Sequence, residues 1–316
     1  MNILVQVKPT NLLSEKEKFF ADHSYNPQFT YAEPVAPKQL TQWGLPQQAL
    51  YKYAVEMLKD FSLPQLPDEK DRVTKDTIKQ KIAEFNAQYS LPKQLEVHFE
   101  DNLVSRCKVT ASAIYFQLPL LYSHEQLDDL LRHELDTHIL RYHNHALQTW
   151  KAHVSPETLI RRTEEGLANI HTHLLRKEKR LYKSFFSYVA AYTAQHHSFT
   201  EVFHTLIKLG RSEQTSWNTA VKVKRGMTDT SQPGLFSREI CYLEGAIMMC
   251  RWLLEANHDC RQLYWGRLAI EELPNFSNTA GDALKLPTFM KKSETYLDHV
   301  AKIQKVNHFA EIEGIL

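Results

Sequence analysis

Residues 133–138 read His-Glu-Leu-Asp-Thr-His, and this short stretch restricts the chain more tightly than any other. Two imidazoles and a carboxylate fall within a segment whose surroundings read as helix. The helical metal-binding spelling H-E-x-x-H puts both histidines on one face, at i and i+4. Here they stand at i and i+5. At about 100° per residue, His133 and His138 would diverge by roughly 140° on a regular α-helix. A shared ion therefore demands a loosened turn, and a single wider turn of the π type meets that demand. Glu134, beside the first histidine, is a candidate general base.

Leu127, Leu131, Leu135 and Ile139 recur every four residues, so one stripe of this helix is buried, and His133 and Glu134 lie off it. On a solvated face these groups would carry no chemistry, so a third donor decides the matter. Residues 163–168, Thr-Glu-Glu-Gly-Leu-Ala, offer one. They lie in a second helix expected to start with Ser155 as its cap, Pro156 in first position and Glu157 in the first turn. Gly166 within that helix costs on the order of 1 kcal/mol relative to alanine, which makes sense where another backbone or a metal shell comes close. Glu165 follows His138 at a distance that lets a loop over residues 144–154 reverse the chain. Two imidazoles, one carboxylate and a water make the open set used by catalytic zinc. Such a mixed N/O set also accommodates other divalent ions.

With H-E-x-x-x-H and E-E-G-L-A together, the chain resembles the bacterial QEGLA-motif proteins and their eukaryotic relatives, the microtubule-associated tyrosine carboxypeptidases. Further segments resemble that family in the family's order: Asn26-Pro27-Gln28-Phe29-Thr30-Tyr31, Asn144 with Gln148, Ser198-Phe199-Thr200-Glu201, and Lys222 with Arg225-Gly226. Phe236 to Gly245 and Leu286-Pro287-Thr288-Phe289 complete the series. The resemblance implies a zincin-like metallopeptidase in which His133, His138 and Glu165 bind zinc and Glu134 is the catalytic base. Preferring Glu165 to Glu164 rests on the family's tolerance of glutamine in the first position. Three departures, His145, Lys222 and Arg238, lie outside the metal shell and bear on substrate preference.

Hydrophobic residues at 43% and charged residues at 24% of 316 are those of an ordinary globular chain. Glycine is scarce, 9 residues, and with the four-residue periodicities this favours an α+β, predominantly helical fold over a sandwich or barrel. Residues 1–92 are expected to form a helical lobe, with helices near 14–23, 46–61 and 68–89. Residues 93–316 are expected to form the catalytic domain, the two being separate lobes or one continuous domain. Leu95, Val97 and Phe99 alternate with Glu96, His98 and Glu100, and 109–118 is rich in β-branched and aromatic residues. Both read as strands of a small sheet beside the metal-binding helix. Ser123 is expected to cap that helix, Ser198 with Glu201 to form a capping box, and Gly210 to end a helix. Gly226, Pro233 and Gly234 mark a loop.

A formal charge of +1 gives no global field for nucleic acid. The longest apolar run, near 245–254, contains Arg251 and is too short to span a bilayer. Cys107, Cys241, Cys250 and Cys260 form no C-x-x-C pair, and no signal peptide is evident, so a cytoplasmic setting is expected. Export without a cleaved leader also fits. The expected partner is a peptide or protein C-terminal tail, with no nucleic acid and no membrane, and the oligomeric state is open.

A carboxypeptidase also needs a cation for the terminal carboxylate. Arg225 is the first candidate because a guanidinium grips a carboxylate in two-pronged fashion, followed by Lys222 and Arg238. Tyr242 is a candidate donor to the scissile carbonyl. The expected activity is therefore that of a zinc metallocarboxypeptidase, by resemblance one that removes tyrosine. The alternative is a metal-binding regulatory protein without turnover, which retention of Glu134 disfavours. An endopeptidase or aminopeptidase is a third possibility, separable by blocked peptides.

Overall fold

The computed structural model describes residues 3–63, 67–91, 93–101, 103, 105–255 and 258–312. The chain is predominantly helical with one small sheet, as glycine scarcity and periodicity foretell. Its α-helices of eight residues or more, numbered along the chain, begin with α1 (Leu12–Ala21), α2 (Gln48–Met57) and α3 (Lys75–Tyr89). Then come α4 (His124–Leu131), α5 (Leu140–Leu147), α6 (Glu157–His173) and α7 (Tyr182–His196). The last are α8 (Phe199–Lys208), α9 (Glu213–Lys224), α10 (Cys241–Leu254) and α11 (Ser293–Val306). No helix among the described residues is long and apolar enough to cross a membrane, and all four cysteines are buried free thiols.

The sheet runs β1 (Glu96–Glu100), β3 (Ala113–Gln117), β2 (Cys107–Val109). β1 pairs with β3 in parallel, Val97 opposite Ile114, and β2 pairs with β3 antiparallel, Cys107 opposite Phe116. The strand expected from residue 109 onward is thus divided. The Thr110 hydroxyl accepts from the Ala113 amide at 3.1 Å and Thr110 N donates to Ala113 O at 2.9 Å, which closes a tight turn and leaves Val109 at the end of β2.

The chain divides into two compact units. One gathers Met1–Pro64 with Leu181–Glu244, the other Gln65–Arg180 with Gly245–Glu313. In the first, Phe19 packs edge-on against Phe199 and Phe203 at 5.2 and 4.8 Å, and Phe199 against Trp217 at 5.0 Å. Ser198 and Glu201 cap α8 reciprocally, and Gly210 follows its end at φ 90°, both as the sequence suggests. In the second unit α6 and α10 meet backbone to backbone. A Cβ on Gly166 would lie 2.2 Å from the Gly245 carbonyl carbon, and one on Gly245 would lie 2.2 Å from Arg162 O. Two glycines permit this contact, and it explains why α6 carries Gly166 despite its helix penalty.

Candidate metal centre

α4, the stretch Arg132–Ile139 and α5 follow one another without a break, and Arg132–Ile139 is wound as a π-helix. This is the wider turn that the i, i+5 spacing demands. Ser123 starts the run with a capping box: its hydroxyl accepts from Gln126 N, and the Gln126 side chain accepts from Ser123 N, each at 3.2 Å. Asp129, buried near the front of the π segment, is gripped by both Arg132 and Arg176.

Side chains supplement the backbone bonding of the wide turn. Thr137 Oγ1 donates to Arg132 O, five residues back, at 2.9 Å, and stands 2.8 Å from His171 Nδ1. Having spent its hydrogen on Arg132, Thr137 accepts from His171 Nδ1–H. His171 Nε2 then accepts from the Tyr296 hydroxyl at 3.0 Å. Burial, helped by the positive charge of neighbouring residues, pushes His171 well below its usual pKa, towards the neutral ring this chain of bonds requires. His171 is therefore part of the scaffold beneath the turn.

His133 Nε2 lies 3.7 Å and His138 Nε2 3.8 Å from Glu165 Oε2. The three donor atoms fall within 4.8 Å of one another, and the two imidazole rings, 5.1 Å apart, are inclined at 71°. A tetrahedral ion with bonds of about 2.0–2.1 Å spaces its donors by about 3.4 Å, so a small inward movement would let these residues hold one. The donor chemistry also fits. Burial lowers the pKa of His138 to about 4 against the pull of Glu165, which keeps its imidazole neutral with a lone pair to offer.

The adjacent carboxylates of α6 have different surroundings. Glu164 is held by Arg267 through two bonds of 2.7 and 2.9 Å, with Arg141 and Arg161 at 3.8 and 3.7 Å. Burial opposes its ionisation, yet Arg267, Arg141 and Arg161 bring its pKa down to about 2. Glu165 instead faces the two histidines through Oε2, while its Oε1 accepts from Arg161 at 3.2 Å. Arg161 in turn binds Glu157, one helical turn earlier. Neither Arg161 nor Arg267 is marked by any sequence motif, but the i, i+4 spacing of Glu157, Arg161 and Glu165 is a signal that could have singled out the first. The start of α6 differs by one residue from expectation. Pro156 is its N-cap, because the Ser155 hydroxyl is turned to Glu272 and to Arg267 O.

Glu134 is half-buried. Its charge adds to burial in pushing up the thiol pKa of Cys107 in β2, the edge strand that lies against the π segment.

A sequence model of the family described as microtubule-associated tyrosine carboxypeptidase matches residues 36–311. The chain belongs to this family. A mouse relative named "Putative tyrosine carboxypeptidase MATCAP2" is 28% identical, the alignment covering 98% of this chain and 63% of the relative. Its human counterpart of the same name is 31% identical, with 98% and 54% covered. Mouse "Microtubule-associated tyrosine carboxypeptidase 1" is 29% identical, with 98% and 70% covered. The chain thus spans little more than half to under two thirds of the MATCAP2 relatives.

Several segments that resemble the tyrosine carboxypeptidase family serve the architecture. Tyr31 accepts from Gly226 N at 2.7 Å and donates to Met227 O at 3.1 Å, and Asn26 Oδ1 accepts from Thr200 N at 3.1 Å. Asn144 and Gln148 bind backbone groups of Tyr264, Trp265, Thr279 and Lys285. The remaining expected site residues, Lys222, Arg225, Arg238 and Tyr242, belong to the first unit, whereas His133, Glu134, His138 and Glu165 belong to the second. Arg225 is buried, pairs with Glu239 at 3.5 Å and lies over the Phe236 ring at 4.8 Å. Burial brings its pKa down to about 10 against the pull of Glu239, so it stays charged at neutral pH. Burial also lowers Lys222, which feels Glu239 as an attraction and Arg225, Arg211 and Arg238 as repulsions.

Proposed function

We propose that this protein is a zinc-dependent metallocarboxypeptidase that removes a C-terminal residue, by family likeness tyrosine, from a peptide or protein tail. The observation that supports the proposal is the π-wound turn, which gathers two histidines five residues apart with Glu165, and Glu134 follows the first of them in sequence. His133, His138 and Glu165 would hold the ion. Bound there, it supplies Lewis acidity that activates water and polarises the scissile carbonyl. Glu134 takes a proton from the attacking water and passes it to the leaving amine. The basic group Lys222, Arg225 and Arg238 is assigned to the substrate's terminal carboxylate, and Tyr242 to its carbonyl, on the chemistry of these side chains. β2, an edge strand beside the π segment, supports pairing with an extended substrate. The two motifs of the site further support kinship with bacterial QEGLA-motif proteins.

The purified protein should carry about one equivalent of zinc, lost in His138→Ala and Glu165→Ala and kept in Glu164→Ala. Incubated with a peptide library of varied C-termini, it should shorten free peptides by one residue and spare amidated ones, as read by mass spectrometry. Cleavage of amidated peptides would remove the carboxypeptidase assignment. Stoichiometric zinc with no cleavage would favour a metal-binding regulatory protein.

A further inference from the structure

We propose that Thr172 is a positioning residue that fixes the tautomer of His133, so that Nε2 carries the lone pair presented to the metal. The proposal rests on the metal-centre assignment above and adds to it a residue outside the donor set. Glu165 and Thr172 are seven residues apart on α6, which at about 100° per residue returns them to the same face two turns along. That face meets His133 twice. Nε2 lies 3.7 Å from Glu165 Oε2, while Nδ1, on the opposite side of the ring, lies 3.0 Å from Thr172 Oγ1.

The direction of the second contact follows from counting hydrogens. A threonine hydroxyl has one, and Thr172 Oγ1 donates it to Ala168 O, four residues back, at 2.9 Å. Towards His133 it therefore offers only a lone pair. The hydrogen between them must sit on Nδ1, and a neutral imidazole with hydrogen on Nδ1 has its lone pair on Nε2, the atom that faces Glu165. The contact also fixes the ring's rotation. α6 thus contributes both a donor and the hydroxyl that orients another donor, a division of labour seen wherever the outer nitrogen of a metal-binding histidine needs an acceptor.

The test uses the full chain as wild type, Thr172→Val, Thr172→Ser and His133→Ala, with zinc affinity measured by chelator competition. Valine keeps the shape and removes the acceptor, and should weaken zinc binding by about 10- to 100-fold, while serine should stay within about threefold of wild type. The melting temperature of each metal-free protein shows whether a loss is merely a folding defect. The ring nitrogens of His133 in metal-free wild type, read by 15N NMR, should show hydrogen on Nδ1, a readout that needs no variant to fold. Zinc binding by Thr172→Val at wild-type strength, or a His133 ring with its hydrogen on Nε2, would overturn the proposal. Wild type that binds zinc no better than His133→Ala would overturn the metal centre itself, and this proposal with it.

Discussion

Each unit of this protein buries a cluster of charge, and the two clusters have opposite character. In one, the carboxylates of Glu157, Glu164 and Glu165 meet the guanidinium groups of Arg141, Arg161 and Arg267, and Glu165 turns one oxygen towards two imidazoles. Such donors suit a cation. In the other, Lys222, Arg225 and Arg238 gather near Glu239, and desolvation presses the pKa of both Lys222 and Arg225 down. That arrangement suits an anion. Burial does the same thing in both places, penalising charge that lacks a counter-charge, and the surrounding residues decide which sign of ligand relieves the penalty.

The proposed division between chemistry and recognition breaks most visibly at Glu134. Glu134→Gln should keep zinc and fold but lower kcat by about 10²- to 10⁴-fold, since an amide cannot take the water's proton. KM should move little. Wild-type kcat in this variant, measured on the preferred free peptide, would show that the base lies elsewhere.

Arg225→Ala probes the opposite cluster and should act through substrate binding. Removing one member of a desolvated charge pair costs about 2–5 kcal/mol, or roughly 30-fold to several thousand-fold in kcat/KM for peptides with a free C-terminus. Amidated peptides should lose far less. Lys222→Ala and Arg238→Ala grade the assignment, because only a residue in direct contact shows the full loss. Equal, small losses in all three would move carboxylate binding to another part of the molecule.

The proposed metal-binding cluster was far more legible in the sequence than its surroundings. The i, i+5 histidines cannot share an ion on a regular helix, so spacing alone pointed to a π turn, and Arg132–Ile139 is wound that way. Gly166 was legible as a close approach, although only the folded chain shows that Gly245 is what approaches. The start of α6 was misread by one residue because Ser155 has a rival use for its hydroxyl, Glu272 and Arg267 O, brought near by residues more than a hundred positions away. Thr172 and Tyr296 escaped notice for the same reason. Their bonds form between helices, and no local periodicity records a partner on another element. Motif likeness also gave no means to tell a latch from a site residue: Asn144 and Gln148 hold backbone, as does Tyr31.

Glu164 and Glu165 sharpen the contrast on the smallest scale, since adjacent carboxylates have been given a structural and a proposed metal-binding task. Glu164→Gln should leave zinc in place and lower stability in a pH-dependent way. The folded pKa of Glu164, about 2, lies below the ordinary 4.5, so its stabilisation is complete above about 4.5 and is lost as pH falls towards 2. The shift corresponds to about 3 kcal/mol at pH 7, falling to roughly half by pH 3. Urea unfolding of wild type and variant across that range should therefore show two stability curves that converge on acidification. A gap that stays constant from pH 7 to pH 3 would mean that Glu164 is not the carboxylate whose charge Arg267, Arg141 and Arg161 hold in place. Loss of zinc from the variant would mean that the two glutamates share the metal-binding task proposed for Glu165.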